Sequence, residues 1–207
     1  MKVKIETIIV GPLQTNCYIV TDEDGIGVVI DPGFEEWKIS EIINKNEFKI
    51  DYIILTHGHY DHFSAAAKLK ENTGAKIVIH KKDNDMLNNA DLNLLCWFNI
   101  LKDKNLCSDL TVDEGDLLTA GSLNFSFIHT PGHTKGSMCV IIEDCIFSGD
   151  TLFYRDAGRT DLPEGSHEDL INSFKKLKEL KGDYKVYPGH LEPTNLNFEK
   201  QNNHYFR

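Results

Sequence analysis

The sequence predicts an α/β protein in which two sheets pack on each other and helices cover their outer faces. Three observations support this fold class. Short β-branched or aromatic segments outnumber helical segments, helical patterns occur in both halves of the chain, and 41% of the 207 residues are hydrophobic, including 11 Phe and 7 Tyr. This composition is enough to bury a sizeable core, and the length suits one large domain or two halves that share a core.

The predicted strands are apolar or alternating segments bounded by Gly, Pro, Asp or Asn, which is the pattern of half-buried and buried strands. In chain order they are VKIETIIV, NCYIV, IGVVI, DYIIL, AKIVIH, LNFSFIH, SMCVII, DCIFSG and DYKVYPG. Helical patterns lie between several of them, as a layered α/β protein requires.

Three segments predict helices. EEWKISEIINKN places its large apolar side chains on one helical stripe: Trp37, Ile39, Ile42 and Ile43. HFSAAAKLKENTG has a similar spacing and ends at Gly74, which is typical of a helix C-cap. SHEDLINSFKKLKELKG opens with a capping box formed by Ser166 and Asp169, and it stops at Gly182.

Residues 84–109 break this pattern. The run NNADLNLLCWFNILKDKNLC mixes Leu, Trp and Phe with Asn and Lys, and we interpret it as an insertion or flap of short helical turns. Its apolar part, residues 94–101, suits either a lid or the surface of a homodimer, and the sequence leaves both open.

Charge and cysteine content restrict the class of partner. A formal net charge of −10 argues against nucleic acid, because phosphate binding requires basic patches. No apolar run approaches the ~20 residues that a bilayer span needs, so no membrane is expected as a partner. Five cysteines without a CxxC pair are expected to be reduced thiols, which favours a cytoplasmic protein. We expect a small-molecule substrate.

The segment THGHYDH, directly after the predicted strand DYIIL, is the strongest chemical signal. Three of the chain's nine histidines lie here, together with an aspartate. Neutral imidazole and carboxylate groups suit Zn, Mn or Fe. Gly58 permits a bent backbone, so that His57 and His59 point to one place while Asp61 and His62 start a helix and point to a second place nearby. A polar surface loop is the weaker interpretation.

Three later segments also end a predicted strand with polar residues and a candidate ligand. FIHTPGHTKGS presents His133 after a Pro-Gly turn, whereas His129 closes an apolar strand and is expected to be a core residue. CIFSGDTLF places Asp150 after a strand, where a lone aspartate is usually a helix cap or a turn former. KVYPGHLEP places His190 after a glycine. Each signal is weak alone, but together with THGHYDH they form an ordered set.

That ordered set, THGHYDH, HTPGHT, SGDTLF and YPGH, resembles the metallo-β-lactamase superfamily of metal-dependent hydrolases. In its detailed sequence it resembles the glyoxalase II-like branch. TNCYIV, VVIDPG and GRTDLPEGS strengthen the resemblance, which extends from Gly11 to His190. It implies a four-layer αββα sandwich of two similar halves, formed by a single domain over residues 1–207.

The resemblance also implies a dinuclear metal centre, with all seven ligand positions filled: His57, His59 and His133 for one ion, Asp61, His62 and His190 for the other, and Asp150 between them. The cofactors are then two divalent ions, with Zn favoured and Fe or Mn also accepted. Such a pair lowers the pKa of a shared water, so that a metal-bound hydroxide attacks a carbonyl at neutral pH. Asp61 is the candidate catalytic residue, because it can also accept a hydrogen bond from the nucleophile.

Further residues are candidates for support of the ligands or for substrate contact. Asp31 in VVIDPG and Asp161 in GRTD are candidates for fixing a ligand imidazole. Arg159 is expected to brace its loop, through Asp161, rather than to touch substrate. Lys135 and Tyr154 are weaker candidates for substrate contact.

The reaction predicted from these features is hydrolysis of a thioester or related ester, as in a hydroxyacylglutathione hydrolase. Only the 17 residues LEPTNLNFEKQNNHYFR follow His190, which is too short for the helical region that binds glutathione in enzymes of well-defined specificity, so the substrate stays open. The alternative is a persulfide dioxygenase-like oxidoreductase with one iron, although such an enzyme does not need the second set of ligands. A non-catalytic scaffold and a diiron module of a flavoprotein are weaker alternatives.

Overall fold

Two six-stranded sheets pack face to face in the computed structural model, which describes residues 3–98 and 106–207. The first sheet has the strand order β1-β2-β3-β4-β5-β6. Its strands are β1 (Lys4–Val10), β2 (Thr15–Thr21), β3 (Ile26–Ile30), β4 (Lys49–Leu55), β5 (Lys76–His80) and β6 (Leu110–Val112). β1 to β3 pair antiparallel, while β3 to β6 pair parallel, so the carboxyl ends of β3, β4 and β5 meet at one edge.

The second sheet has the order β14-β13-β10-β9-β8-β7. Its strands are β7 (Leu117–Ala120), β8 (Leu123–His129), β9 (Met138–Ile142), β10 (Cys145–Gly149), β13 (Lys185–Pro188) and β14 (Thr194–Asn195). β11 (Leu152–Phe153) and β12 (Asp156–Ala157) form a small hairpin directly after β10. β10 and β13 pair parallel, so the loops after them leave the sheet on the same side.

The helices are α1 (Glu36–Lys45), α2 (Tyr60–Phe63), α3 (Ala66–Thr73), α4 (His167–Glu179) and α5 (Leu196–Asn202), with shorter 3-10 turns at Asn84–Asn88, Leu95–Phe98 and His204–Phe206. Gly74 ends α3 with a φ of 74°, as predicted, because glycine adopts this left-handed conformation without steric cost. Within the described ranges, no helix has the length and apolar character needed to cross a membrane.

Three buried apolar clusters separate the layers. One lies between the first sheet and α1 and α3, a second fills the space between the two sheets, and a third lies between the second sheet and α4 and α5. This arrangement is the predicted αββα sandwich, because a cluster on each face of each sheet requires a helical layer outside both. The polar residues of the predicted site lie outside these clusters, in the turns, the loops and the short helix α2 at the edge of the sandwich.

Three local predictions fail in detail. Trp37 was placed on the buried stripe of α1, but it is 61% exposed, whereas Ile39 and Ile43 are buried. At 3.6 residues per turn Trp37 lies about 200° around the helix from Ile39, so it faces away from the side that Ile39 and Ile43 bury. The Ser166 side chain does cap α4 by accepting from the Asp169 N–H at 3.2 Å, but the Ser166 N–H donates to the carbonyl of Gly132. The capping box is therefore only half formed, and α4 ends before Gly182.

The region predicted as an insertion lies partly outside the described residues. Its described parts contain the expected short helical turns, and they pack on the first sheet through Leu94, Leu95 and Leu106, which are each 7% exposed. The backbone N–H of Tyr60 also donates to the carbonyl of Asn93 at 3.0 Å. The described part of the insertion is thus joined to the loop that follows β4.

Candidate metal centre

The loop after β4 carries four of the predicted site residues, and the first sheet positions it. β4 is buried at its carboxyl end, and the chain leaves it through a bend at Thr56 and His57 and reaches α2 through His59, which is extended. His57, His59 and His62 are at most 2% exposed, and Asp61 is 5% exposed. The short helix α2 carries Asp61 and His62, so its single turn directs both side chains inward from adjacent positions.

Gly58 is needed for a different physical reason from the predicted bend. Its φ lies outside the left-handed region that favours glycine. A Cβ atom at this position would lie 2.7 Å from the Cβ of Met86, which is closer than real side chains approach. Close packing of the 3-10 turn at Asn84–Asn88 against the loop therefore requires glycine here.

The second sheet supplies the other three predicted site residues from separate loops. His133 follows β8, Asp150 follows β10, and His190 follows β13. The His133 and Asp150 side chains are 4% and 11% exposed, and that of His190 is 20% exposed. The predicted site therefore lies where the loops of both sheets meet, and His190 faces solvent more than the others.

His57, His59 and His133 form one set of converging nitrogen atoms, which we call the first group. One potential ligand atom from each lies within 4.8 Å of the others. The Nδ1 atom of His59 is 2.9 Å from the Nε2 atom of His133, so a proton or a cation has to lie between these two lone pairs.

Asp61, His62 and His190 form the second group, which meets the same distance limit. The Nε2 atom of His62 lies 3.3 Å from the Nε2 atom of His190 and 3.4 Å from Oδ2 of Asp61. Asp150 lies between the two groups. Its Oδ1 atom is 3.5 Å from His62 Nε2, and its Oδ2 atom is 3.5 Å from His133 Nε2 and 3.6 Å from His190 Nε2.

The opposite ring nitrogens of four of these imidazoles are held by the protein: His57 Nδ1 by the Thr56 hydroxyl at 3.1 Å, His62 Nδ1 by Asp31 at 3.0 Å, His133 Nδ1 by the Arg159 carbonyl at 2.8 Å, and His190 Nδ1 by the Leu13 carbonyl at 3.0 Å. Such bonds fix the tautomer and turn the other nitrogen inward. Among the described residues, the buried atoms His57 Nε2 and Asp150 Oδ1 have no hydrogen-bond partner. Inward lone pairs on nitrogen and oxygen donors fit divalent cations such as Zn, Fe or Mn.

Burial and neighbouring charges shift the pKa values of the site residues. Burial lowers the pKa of His57 and of His59, so both are neutral and able to donate a lone pair. Burial also acts against a charge on His62, but Asp61, Asp150 and Asp31 outweigh it and raise the pKa of His62 to about 10. One imidazolium therefore offsets the carboxylates in the metal-free protein, and cation binding has to displace its proton.

Asp31 belongs to neither group, but it supports the loop that carries residues of both. It is 1% exposed, and its carboxylate accepts from the Thr56 N–H at 2.8 Å, from the Thr56 hydroxyl at 2.7 Å and from His62. One carboxylate thus orients two neighbouring parts of the loop. Its φ of 52° is a left-handed value that is uncommon outside glycine, and the three hydrogen bonds hold it there.

The remaining predicted residues lie further out. The Arg159 side chain pairs with Asp161 at 2.6 Å on the surface, as the bracing interpretation predicts, and it is the backbone carbonyl of Arg159 that reaches the centre. Lys135 pairs with Glu164 on the surface. Tyr154 is 40% exposed and its ring stacks on that of Phe198 with centroids 5.5 Å apart.

Other histidines have different surroundings from the centre. The His129 side chain is partly exposed rather than in the core, and its ring stacks on that of His80 with centroids 4.2 Å apart. His80 is itself fully buried, and its Nε2 atom lies 3.2 Å from Oδ1 of Asp113. Neither residue is within the groups described above.

Sequence reasoning missed two polar residues that touch the site loops. The Thr15 hydroxyl donates to Oδ2 of Asp61 at 3.2 Å. Asp83 is fully buried and binds the loops of both sheets. A usable signal existed for Asp83, because it follows the buried strand β5 as Asp31 follows β3, and the carboxyl ends of parallel strands meet at one edge.

Comparison with known proteins identifies relatives over nearly the whole chain. The family model described as the metallo-beta-lactamase superfamily matches residues 10–190. A relative named hydroxyacylglutathione hydrolase GloC, from Haemophilus influenzae, is 34% identical over 96% of this chain and 96% of its own length. The crystal structure of BLEG-1 B3 metallo-beta-lactamase has a TM-score of 0.91 at 30% identity, covering 98% of this chain and 99% of that one. The crystal structure of TTHA1623 in a di-iron-bound form has a TM-score of 0.86 at 33% identity, covering 97% and 99%.

Proposed function

Because this chain belongs to the metallo-beta-lactamase superfamily, we propose that it is a metal-dependent hydrolase that cleaves a thioester or a related activated ester with two divalent cations. The convergence of seven inward donor side chains at the junction of the two sheets carries this proposal. The similarity to hydroxyacylglutathione hydrolase GloC over nearly the full length of both chains supports the choice of a thioester.

In this proposal His57, His59 and His133 would hold one cation and Asp61, His62 and His190 would hold the other, with Asp150 lying between the two groups. Zinc is the proposed metal, and the same donors accept iron or manganese. When bound, the cations activate water at neutral pH and polarise the scissile carbonyl group.

The protein's own contribution is orientation and proton handling. Thr56, Asp31 and the carbonyls of Arg159 and Leu13 fix which nitrogen faces inward in four of the five imidazole rings, so these rings need little rearrangement before reaction. Asp61 accepts from Thr15 through Oδ2, and in the metal-free protein burial acts against its charge, but His62 and His190 outweigh burial and lower its pKa. In the proposed centre Asp61 is a cation ligand, which also favours its ionised form, so a carboxylate oxygen is available to accept a hydrogen bond from an attacking water.

Metal analysis and a thioester panel on the same preparation test this proposal. We expect two metal equivalents per chain and hydrolysis of S-lactoylglutathione or of a simpler acyl thioester. Asp150→Ala is expected to lose both properties, whereas His80→Gln, which changes a buried imidazole outside the two groups, is expected to keep both. A metal-loaded protein that cleaves no thioester or ester would contradict the proposal.

The mononuclear-iron alternative gives a different result in the same preparation. Oxygen uptake with glutathione persulfide in the iron-loaded protein, without thioester cleavage, would replace hydrolysis by oxidation. One tightly bound iron, with Asp61→Ala and His190→Ala leaving oxygen uptake intact, would show that a site of two His and one Asp that excludes these two residues is sufficient. We expect instead that both variants abolish thioester cleavage, since hydrolysis uses both groups.

A further inference from the structure

Asp83 is a fully buried carboxylate that lies in neither group of the metal centre. It accepts three hydrogen bonds from outside its own turn. Oδ2 accepts from the Gly58 N–H at 2.9 Å and from the Thr134 hydroxyl at 2.6 Å, and Oδ1 accepts from the Gly136 N–H at 2.6 Å. The long sequence separations mean that only the folded chain assembles these donors.

The donors are neighbours of the first group in sequence. Gly58 lies between His57 and His59, and Thr134 directly follows His133. The loop with Gly58 leaves the first sheet after β4, and the loop with Thr134 connects β8 and β9 of the second sheet. One carboxylate therefore joins the two loops, from different sheets, that carry the first group.

The usual local role of an aspartate does not account for this arrangement. Asp83 stands at the N-cap position of the 3-10 turn Asn84–Asn88, yet its side chain makes no capping hydrogen bond to that turn. Gly136 is also fitted to it, because a Cβ atom there would lie 2.5 Å from Oδ1 of Asp83. The Asp83 carboxylate therefore points away from its own 3-10 turn, and it fits against Gly136 because glycine has no side chain.

We propose that Asp83 is a positioning residue that sets the separation between the His57–His59 loop and His133, and thereby the metal affinity of the first group. The effect of Asp83 on the first group is direct, since only 2.9 Å separates His59 Nδ1 from His133 Nε2. The second group depends on other supports, Asp31 and Thr15 among them, so it is less sensitive to Asp83. The inference rests on the metal centre of the proposed function but not on its substrate.

The test compares Asp83→Asn with a matched control at the opposite end of the sandwich. Asp22 is 3% exposed and links the turn before β3 to the turn before β8 by accepting from the N–H and the hydroxyl of Ser122, both at 2.9 Å. Asp22→Asn therefore removes the same kind of link between the sheets, far from the metal centre. Metal-free wild type and both variants are titrated with Co²⁺ against a competing chelator, and the absorption spectrum of bound Co²⁺ is recorded.

We expect wild type and Asp22→Asn each to bind two equivalents of Co²⁺. Each equivalent should bind with the same affinity in both proteins. Asp83→Asn is expected to weaken one equivalent by about 10- to 100-fold, the range measured for residues that orient metal ligands, and to alter its Co²⁺ spectrum. The weakened equivalent should be the one that His59→Ala removes, not the one that His190→Ala removes. Circular dichroism and thermal unfolding show that each variant is folded.

A second pair of variants decides the case if Asp83→Asn does not fold. Thr134→Val removes the hydroxyl that donates to Asp83 and keeps the side-chain shape, while Thr134→Ser keeps the hydroxyl. Weakening of the first-group equivalent by Thr134→Val and its rescue by Thr134→Ser support the proposal.

Unchanged affinities and spectra in both Asp83→Asn and Thr134→Val would overturn it, as would equal weakening of both equivalents. These results are distinct from failure of the proposed function. A wild type that binds two metals but cleaves no ester leaves the inference standing, whereas a wild type that binds no metal overturns both.

Discussion

The two ends of the sandwich use the same device, a buried carboxylate that joins loops of different sheets, for different purposes. At the far end, Asp22 holds the β2–β3 turn to the β7–β8 turn through Ser122, and its other oxygen accepts from Ile26 at 2.9 Å. At the site end, Asp83 joins the loops after β4 and β8.

The surroundings of the two carboxylates differ. Burial raises the pKa of Asp83 to about 6, whereas hydrogen bonds, that of the Ser122 N–H first, lower the pKa of Asp22. Both oxygens of each of these two carboxylates accept hydrogen bonds. At the site end, buried donor atoms of His57 and Asp150 have no hydrogen-bond partner among the described residues. The far end is thus arranged for stability, and the site end keeps unsatisfied atoms that a cation can use.

The largest expected effect separates the two ends by activity. Asp150→Ala removes the carboxylate that lies between both groups, and we expect hydrolysis to fall by about a thousandfold, since metal catalysis contributes several kcal/mol. Asp22→Ala should keep the rate constant of the folded protein. Steady-state kinetics on both variants at the same free metal concentration measures both effects. Equal losses in the two variants would show that the site end has no special role in the chemistry.

Removal of metal should affect stability through the site end alone. With free metal about 100-fold above its dissociation constant, each ion stabilises the folded chain by about 3 kcal/mol, so a chelator should lower the free energy of unfolding by at least that amount. Urea unfolding with and without metal measures it. Asp150→Ala should respond much less than Asp22→Ala, and the same response in both variants would place the bound ions elsewhere.

The loop after Asp150 provides a smaller test, because the C-terminal helix holds it. Glu199 on α5 is fully buried and accepts from the Arg155 N–H at 2.8 Å, the Thr194 hydroxyl at 2.6 Å and the Asn203 amide at 3.0 Å. Glu199→Gln leaves some of these donors without an acceptor, so we expect a loss of about 2 kcal/mol in the free energy of unfolding.

Glu179→Gln is the control for this variant, since Glu179 is an exposed glutamate of α4 and its replacement should change stability by less than about 0.5 kcal/mol. Urea unfolding compares the two variants. Equal stabilities would show that the C-terminal helix does not anchor the loop after Asp150.

The smallest effect concerns pH and an imidazole outside the centre. Burial, followed by the neighbouring His129, lowers the pKa of His80 to about 4, whereas the unfolded chain titrates near 6.5. Between these values only the unfolded chain binds the proton, so stability is present above pH 6.5 and is lost as pH falls towards 4. Wild type should therefore lose about 1–2 kcal/mol more than His80→Gln over this range, after allowance for solvent screening.

Unfolding free energies at matched metal load test this difference, with His167→Gln as the control for loss of an exposed histidine. A wild type and a His80→Gln variant with parallel pH dependence would show that His80 is not held neutral by its burial.

Much of the architecture was predictable because its causes are local. The β-branched segments became strands, α3 ends at Gly74, and Ile39 and Ile43 face the core, since periodicity and backbone preferences act over a few residues. The seven candidate ligands were also named from sequence, because each follows a strand end with recognisable punctuation, and the folded chain brings all seven together.

What only the tertiary structure decided is which distant groups meet. The need for glycine at 58 depends on the close approach of Met86. Asp83 and Asp22 are ordinary turn residues in the sequence, yet each joins two sheets across 51 and 100 residues of chain. Local spacing carries no information about such hydrogen bonds, because they form only after both sheets have packed and buried the carboxylates between them.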